Sequence, residues 1–344
     1  MAGTRSLFRA LLSPTRSVMS LCCTLSWLAA GAALGQPLER FMFDRSQMGA
    51  VVRVVLYAPD SVRAHQAAAA AFARIDSLNA HLSDWIQDSE LNRLSRTYGQ
   101  PVQVSDDLWM VLSTAQAIAA ASEGHFDVTV GPLTRLWRWG MRRNQLPNPA
   151  EVEKALRSVG YRYLDLDALH QTARLLRSGM RLDLGGIAKG YAADEALRVL
   201  QELGYAASTV DAGGDMAIGA PPPNSAGWPV QITVADSTGR RVRKELILAH
   251  CGVAASGATY RFIEHEGTRF SHIVSPLTGM GITFDRIVTV VASSGMQADA
   301  WASAYSVMEA AADHAVYQAQ LDLYLVQRSG GKERMWVSRN RVPE

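Results

Sequence analysis

Arg181-Leu182-Asp183-Leu184-Gly185-Gly186-Ile187-Ala188-Lys189-Gly190-Tyr191-Ala192-Ala193-Asp194 is the most informative stretch of the chain. It reads as a strand ending at Asp183, a turn at two glycines, and a helix from Gly190 to Leu203 that Gly204 stops. Backbone N–H groups at a glycine-rich helix entrance favour an anion such as a phosphate, and Lys189 adds a cation. The spacing GxxxxGK[ST] of a phosphate-binding loop is absent, as is the GxGxxG of a dinucleotide-binding βαβ unit. The pattern alone leaves two readings open: an anion site, or an ordinary strand–turn–helix junction with a solvated lysine.

Working outward, Met42 to Tyr57 alternates apolar and polar residues and reads as one strand. Ser61 to Leu82 is an Ala-rich amphipathic helix capped by Asp60 or Ser61, and Ser105 to Glu123 is a second one closed by Gly124. Asp84 to Thr97 reads as a turn and a short helix, and Pro147 to Val159 as another helix; no element is assigned between Gly124 and Pro147. Leu164 to Leu184 holds two strand-like runs in hairpin spacing, and Ala207 to Ala217 is a strand interrupted by Gly213-Gly214. Further strands are expected over 229–234, 245–253, 259–264, 270–274, 287–292, 321–326 and 334–337, with a helix over 296–312. Strands arrive in runs with helices between the runs. The fold class is therefore α+β, one domain with mixed or antiparallel sheets flanked by helices.

The first forty residues stand apart. Arg5, Arg9 and Arg16 precede an uncharged run from Val18 to Leu34, and Ala33-Leu34-Gly35 offers small residues for cleavage. Residues 1–35 read as a secretory signal and 36–344 as the mature domain, placing the protein in the periplasm. The alternative is an uncleaved inner-membrane anchor, the only membrane contact the sequence suggests. Cleavage removes Cys22 and Cys23, so the mature domain keeps Cys251 alone and folds without an internal disulfide. A net charge of +2 gives no reason to expect nucleic acid as a partner.

Three other blocks carry possible chemistry. Val210-Asp211-Ala212-Gly213-Gly214-Asp215 suggests either a backbone approach to a ligand or a tight turn. In Ser271-His272-Ile273-Val274-Ser275-Pro276, His272 is either a general base or a structural histidine. In Met296-Gln297-Ala298-Asp299-Ala300-Trp301-Ala302-Ser303, Asp299 and Ser303 would share a helix face. One carboxylate and one hydroxyl are hard oxygens suited to magnesium or calcium; the competing reading is a capping Asp. There is no HExxH, GxSxG, CxxC or histidine cluster, which argues against a zinc protease, an α/β-hydrolase and a thiol oxidoreductase.

In order, these blocks resemble the ApbE-type FAD:protein FMN transferases. The resemblance runs through Met48-Gly49, Leu82-Ser83-Asp84-Trp85, Ser89-Glu90-Leu91, Gly124 to Leu133, Asp183 to Tyr191, Gly213-Gly214-Asp215, Ser256-Gly257, His272-Ile273 with Pro276 and Thr278-Gly279, and Ala298-Asp299. It implies magnesium-dependent transfer of FMN from FAD, as substrate, to a Thr or Ser hydroxyl of a target flavoprotein, with release of AMP. By motif position it implies that Asp299, Ser303 and the Gly186 carbonyl bind Mg2+. It places Met48, Trp85, His125, Phe126, Asp127, Asp183, Lys189 and Ile273 around FAD, and makes His272 the base. The acceptor would be a respiratory-complex subunit or an exported flavoprotein. Trp85 stands where the family often has Tyr, Ala255 and Ser303 where it has Thr, and Ser275 where it has Asp. Two other functions fit the same residues: an FAD pyrophosphatase giving FMN and AMP, and a non-catalytic periplasmic flavin-binding protein.

Overall fold

Met48 and Gly49 both take positive φ, 49° and 75°. A two-residue turn of that kind matches the twist of a hairpin. The expected single strand over 42–57 is therefore two, β1 (Glu39–Gln47) and β2 (Ala50–Ala58), paired antiparallel. The computed structural model describes residues 37–257, 261–308, 320–329 and 331–339. The expected signal segment, residues 1–35, lies outside them.

Helix α1 (Ser61–Leu82) follows with the expected cap, since the Asp60 side chain accepts the Arg63 N–H. Then come α2 (Glu90–Ser95), β3 (Val102–Gln103) and α3 (Asp106–Ala121), whose cap is Ser105. The unassigned stretch contains a helix, α4 (Gly131–Arg143). Its N-cap, Val130, makes no side-chain hydrogen bond, so no polar cap residue announces it; Pro132 near its start and left-handed Asn144 at its end bound it instead. After α5 (Pro149–Leu156), β4 (Leu164–Asp167) and β5 (Thr172–Leu175) form the expected hairpin. Residues 181–184 are not a strand. Arg181 makes one isolated bridge with Val130, and the chain runs on as a loop into α6 (Ala188–Glu202).

The region 207–217 is again a hairpin, β6 (Ser208–Ala212) and β7 (Asp215–Ile218), turning at Gly213 and Gly214 with φ of 76° and 102°. The expected strand over 245–253 is split by His250 at φ 50°, between β9 (Arg241–Leu248), which pairs with β8 (Trp228–Ala235), and β10 (Cys251–Gly257). Next are β11 (Phe262–His265), β12 (Thr268–Ser271), β13 (Arg286–Ala292), α7 (Gly295–Val307), β14 (Asp322–Ser329) and β15 (Lys332–Arg339).

Eight strands form the main sheet in the order β1-β2-β6-β7-β10-β13-β14-β15, and all its neighbouring pairs are antiparallel. The α+β class expected from the sequence holds. Period-two alternation sorts the side chains between the faces. Val54, Leu56, Val290, Leu323 and Leu325 join α1, α6 and α7 in the larger core. Val55, Val253, Val291 and Tyr324 point the other way, under the β8–β9 hairpin with Trp228, Val230 and Ile232. A third cluster around Leu133, Trp137, Val152, Ile263 and Val274 fastens α4 and α5 to β11 and the segment after β12. Among the described residues no helix is long and apolar enough to cross a membrane.

The start of α7 is wedged between α6 and β10. A Cβ on Gly190 would stand 2.1 Å from the Gly295 carbonyl oxygen, and one on Gly252 would stand 2.1 Å from the Gly295 nitrogen. The start of α7 is held against α6, because the Asp194 carboxylate accepts the N–H groups of Gly295 at 2.7 Å and Met296 at 2.8 Å. Gly190→Ala is expected to destabilise the fold by about 3 kcal/mol, the upper end for overpacking. Gly257→Ala, at a site of ordinary φ with nothing nearer than 3.6 Å among the described residues, should be close to neutral. Urea denaturation of the two variants checks the contrast.

Candidate functional site

Asp299 and Ser303 lie one turn apart on α7, facing the loop before α6. Gly190 stands in the first turn of α6, where a backbone N–H finds no acceptor within the helix. It donates to Asp299 Oδ2 at 3.2 Å, so a carboxylate on α7 caps the start of α6. Among the described residues, neither Asp299 Oδ1 nor the Ser303 hydroxyl has a hydrogen-bond partner. A Cβ on Gly186 would come 2.6 Å from Ser303 Oγ and 3.5 Å from the Phe126 ring, so only glycine lets this backbone approach so closely. Asp299 is buried, and burial raises its pKa, with the Lys189 charge and the Gly190 N–H opposing. Asp299 and Ser303 on α7 and the Gly186 backbone before α6 thus meet at one helix crossing.

Lys189 is close enough to Asp299 to act on its titration, but its ammonium forms an ion pair with buried Asp215. Asp215 follows the Gly213-Gly214 turn, so the two glycine-rich blocks meet through a charge pair. Gly213 also abuts the first hairpin: a Cβ there would lie 2.6 Å from that of Ala50, two residues past Met48.

Asp183 is buried and fully engaged. Its Oδ1 accepts the Gly185 N–H at 2.9 Å, and its Oδ2 accepts the Thr134 hydroxyl and an Arg138 N–H at 2.7 Å each. The same guanidinium bonds Asp84 and lies 4.6 Å from the centre of the Trp85 ring. Burial raises the Asp84 pKa and Asp183 adds to that, while Arg138 opposes both. Burial works to lower the Arg138 pKa, but the two carboxylates outweigh it and the net shift is upward.

The Gly124–Leu133 block wraps the end of α3. The ring nitrogen Nδ1 of His125 is 2.8 Å from the Ser122 carbonyl, and the backbone N–H of buried Phe126 donates to the Ser122 hydroxyl. Asp127 spends Oδ1 on the Thr129 N–H and hydroxyl, both at 2.7 Å, and burial raises its pKa. His272 is exposed at the end of β12, with Nδ1 3.2 Å from the Arg261 carbonyl. Protein packed around the ring lowers its pKa; the Arg261 charge adds to this and the Arg261 carbonyl opposes it. Ile273 is half-buried beside it. Ser275 is buried, and its hydroxyl accepts the N–H groups of Leu277 and Thr278 at 3.3 Å each, the turn-forming bonds an Asp could also accept. This segment leans on α4 through a 2.9 Å bond from Trp137 Nε1 to the Gly279 carbonyl, and a Cβ on Gly124 would meet Leu277 at 3.4 Å.

The ApbE family profile matches residues 48–325. The chain belongs to the ApbE family. It is 29% identical over 307 residues to the FAD:protein FMN transferase of Salmonella typhimurium, covering 86% of this chain and 87% of the relative. It is 31% identical over 284 residues to the FAD:protein FMN transferase of Treponema pallidum, covering 77% and 78%. Its fold superposes on the flavin transferase ApbE from Vibrio cholerae with a TM-score of 0.78 at 25% identity, covering 88% of this chain and 98% of that one.

In this ApbE chain Phe126 and Ser303 flank Gly186, Asp299 joins the same loop and helix start through Gly190, and charge links Lys189 to Asp299. Asp183 and Trp85 are joined through Arg138. Met48 and the His125–Asp127 and His272–Ile273 segments border this group through intermediate residues, and no bond links His272 to Asp299 or Ser303 among the described residues. The sequence reading did not include Arg138, Thr134, Asp194 or Asp215 as site residues. Arg138 and Thr134 lie on the unassigned helix, whereas Asp194 and Asp215 sit inside the quoted blocks. Burial pushes Asp194 up to about 6, against the two N–H groups that pull it down. A carboxyl whose pKa is higher folded than unfolded stabilises fully below the unfolded value and loses that contribution as pH rises through the folded one. Wild-type stability relative to Asp194→Asn should therefore fall by about 2 kcal/mol between pH 4.5 and 7, a gap that urea titrations at the two pH values measure.

Proposed function

We propose that this protein transfers FMN from FAD to a Thr or Ser hydroxyl of an exported or membrane-bound flavoprotein, with magnesium and with release of AMP. The observation that carries the reading is the meeting of Asp299, Ser303 and the Gly186 backbone at the α6–α7 crossing, where one Asp299 oxygen, the Ser303 hydroxyl and the Gly186 carbonyl are hard oxygens with no hydrogen-bond donor among the described residues. No group of three or more His, Cys, Asp or Glu side chains able to hold a metal occurs among the described residues. That suits magnesium, which takes one or two carboxylates and completes its shell with water and substrate phosphates. When bound there, the ion would supply positive charge to the FAD pyrophosphate.

The rest of the chemistry falls to the chain. Nδ1–H of His272 can donate to the Arg261 carbonyl, leaving Nε2 to take the proton of the acceptor hydroxyl. The acceptor oxygen forms a bond to the FMN phosphorus while the pyrophosphate P–O bond breaks and AMP leaves. Positioning and charge neutralisation dominate such a transfer. Export across the inner membrane by the segment 1–35 belongs to the same proposal.

Incubating the protein with FAD, magnesium and an acceptor flavoprotein, then reading covalent fluorescence on a denaturing gel together with AMP, tests the reading. Labelled acceptor supports transfer. AMP without label supports the pyrophosphatase, and bound FAD without AMP supports a carrier. Asp299→Ala should lower AMP release at least 100-fold, the scale of lost electrostatic stabilisation; unchanged turnover would refute the donor set. His272 must be neutral to accept a proton, so kcat/KM should fall with decreasing pH below the usual histidine value of about 6.5. His272→Gln should remove that acid limb from the rate profile.

A further inference from the structure

We propose that Arg138 is a positioning residue that sets the affinity for FAD by holding the Trp85 indole as an outward platform. The inference rests on the FAD reading above and adds to it a residue outside every motif block.

Trp85 is 68% exposed, which is unusual for the largest apolar side chain. Its surroundings fix it nonetheless. Buried Asn92 donates to the carbonyls of Asp84 at 3.0 Å and Ile86 at 2.8 Å, and the Ser83 hydroxyl accepts the Trp85 N–H at 3.2 Å. The backbone on either side of the indole is therefore pinned. The ring itself lies over the Arg138 guanidinium, 4.6 Å from its centre. That guanidinium cannot swing, because Asp84 and Asp183 hold two of its nitrogens and are themselves only 15% and 6% exposed. One face of the indole is thus filled by a fixed cation, and the indole remains largely open to solvent. A flat heterocycle meeting it pays little to order the ring, because the ordering is already done. Asp183 belongs to the loop that leads through Gly185 and Gly186 to the donor set, so the platform and the donor set share one short segment. Lysine at 138 would keep the charge but lose the planar fork that engages both carboxylates and stacks on the ring.

The test is a double-mutant cycle on FAD binding, read by quenching of flavin fluorescence with the full chain. Arg138→Met should weaken FAD about three- to tenfold, the range of a partly desolvated cation–π contact. Arg138→Lys should fall between Met and wild type. In the Trp85→Ala background, Arg138→Met should cost less than twofold more, because the residue acts through the ring. Full FAD affinity in Arg138→Met, or losses that simply multiply in the double variant, would overturn the proposal. If Arg138→Met does not fold, Arg138→Lys with and without Trp85→Ala runs the same cycle and is judged by the same criterion. A wild-type chain that binds no FAD would sink both this inference and the function it rests on. Wild-type binding with multiplying losses would sink this inference alone.

Discussion

The contact that the rest of the molecule depends on is backbone against backbone at Gly190 and Gly295. Two helices from distant parts of the chain, α6 and α7, meet there with no side chain between them, and β10 closes in at Gly252. Helices ordinarily pack 8–10 Å apart because side chains keep their axes separate. Removing those side chains lets the first turn of α7 sit against α6. The Asp194 carboxylate then caps α7 from α6, so the close approach and the cap reinforce each other.

That approach is what creates the donor set. With α7 so near, Asp299 reaches the Gly190 N–H, a first-turn donor that α6 cannot satisfy by itself. The Gly186 backbone comes up against Ser303 at the same place. In an isolated strand–turn–helix junction that N–H would be left to water. The chemistry of the crossing is therefore a consequence of packing, and the glycines that look like turn-formers in the sequence serve mainly as the places where other backbone arrives.

How much of this was readable beforehand follows from how local each signal is. Asp60 and Ser105 announced their helices because a cap acts within three residues. Asp299 and Ser303 were readable as a pair because helical spacing alone puts them on one face. The Met48-Gly49 turn was hidden, since methionine gives no hint of positive φ, and one alternating run concealed two strands. Helix α4 was hidden because its cap carries no side-chain bond, although Leu133, Trp137 and Gly140 fall at helical spacing on one buried face. Arg138 was beyond reach for a different reason. Its partners Asp84 and Asp183 stand 54 and 45 residues away, and nothing local marks an arginine that will bridge them.

The charges explain why a net value of +2 said so little about a ligand. Asp215 pairs with Lys189, and Asp299 stands near the same ammonium. Two carboxylates against one ammonium leave this corner short of positive charge, even before a substrate pyrophosphate adds its own. Arg138 cannot make up the difference, because Asp84 and Asp183 already occupy it. A dianionic linkage brought to this corner would meet net repulsion from the side chains around it. The deficit is local and of a size that one divalent cation on Asp299, Ser303 and Gly186 would correct. The magnesium proposed above would thus serve charge balance as well as the geometry of the donors.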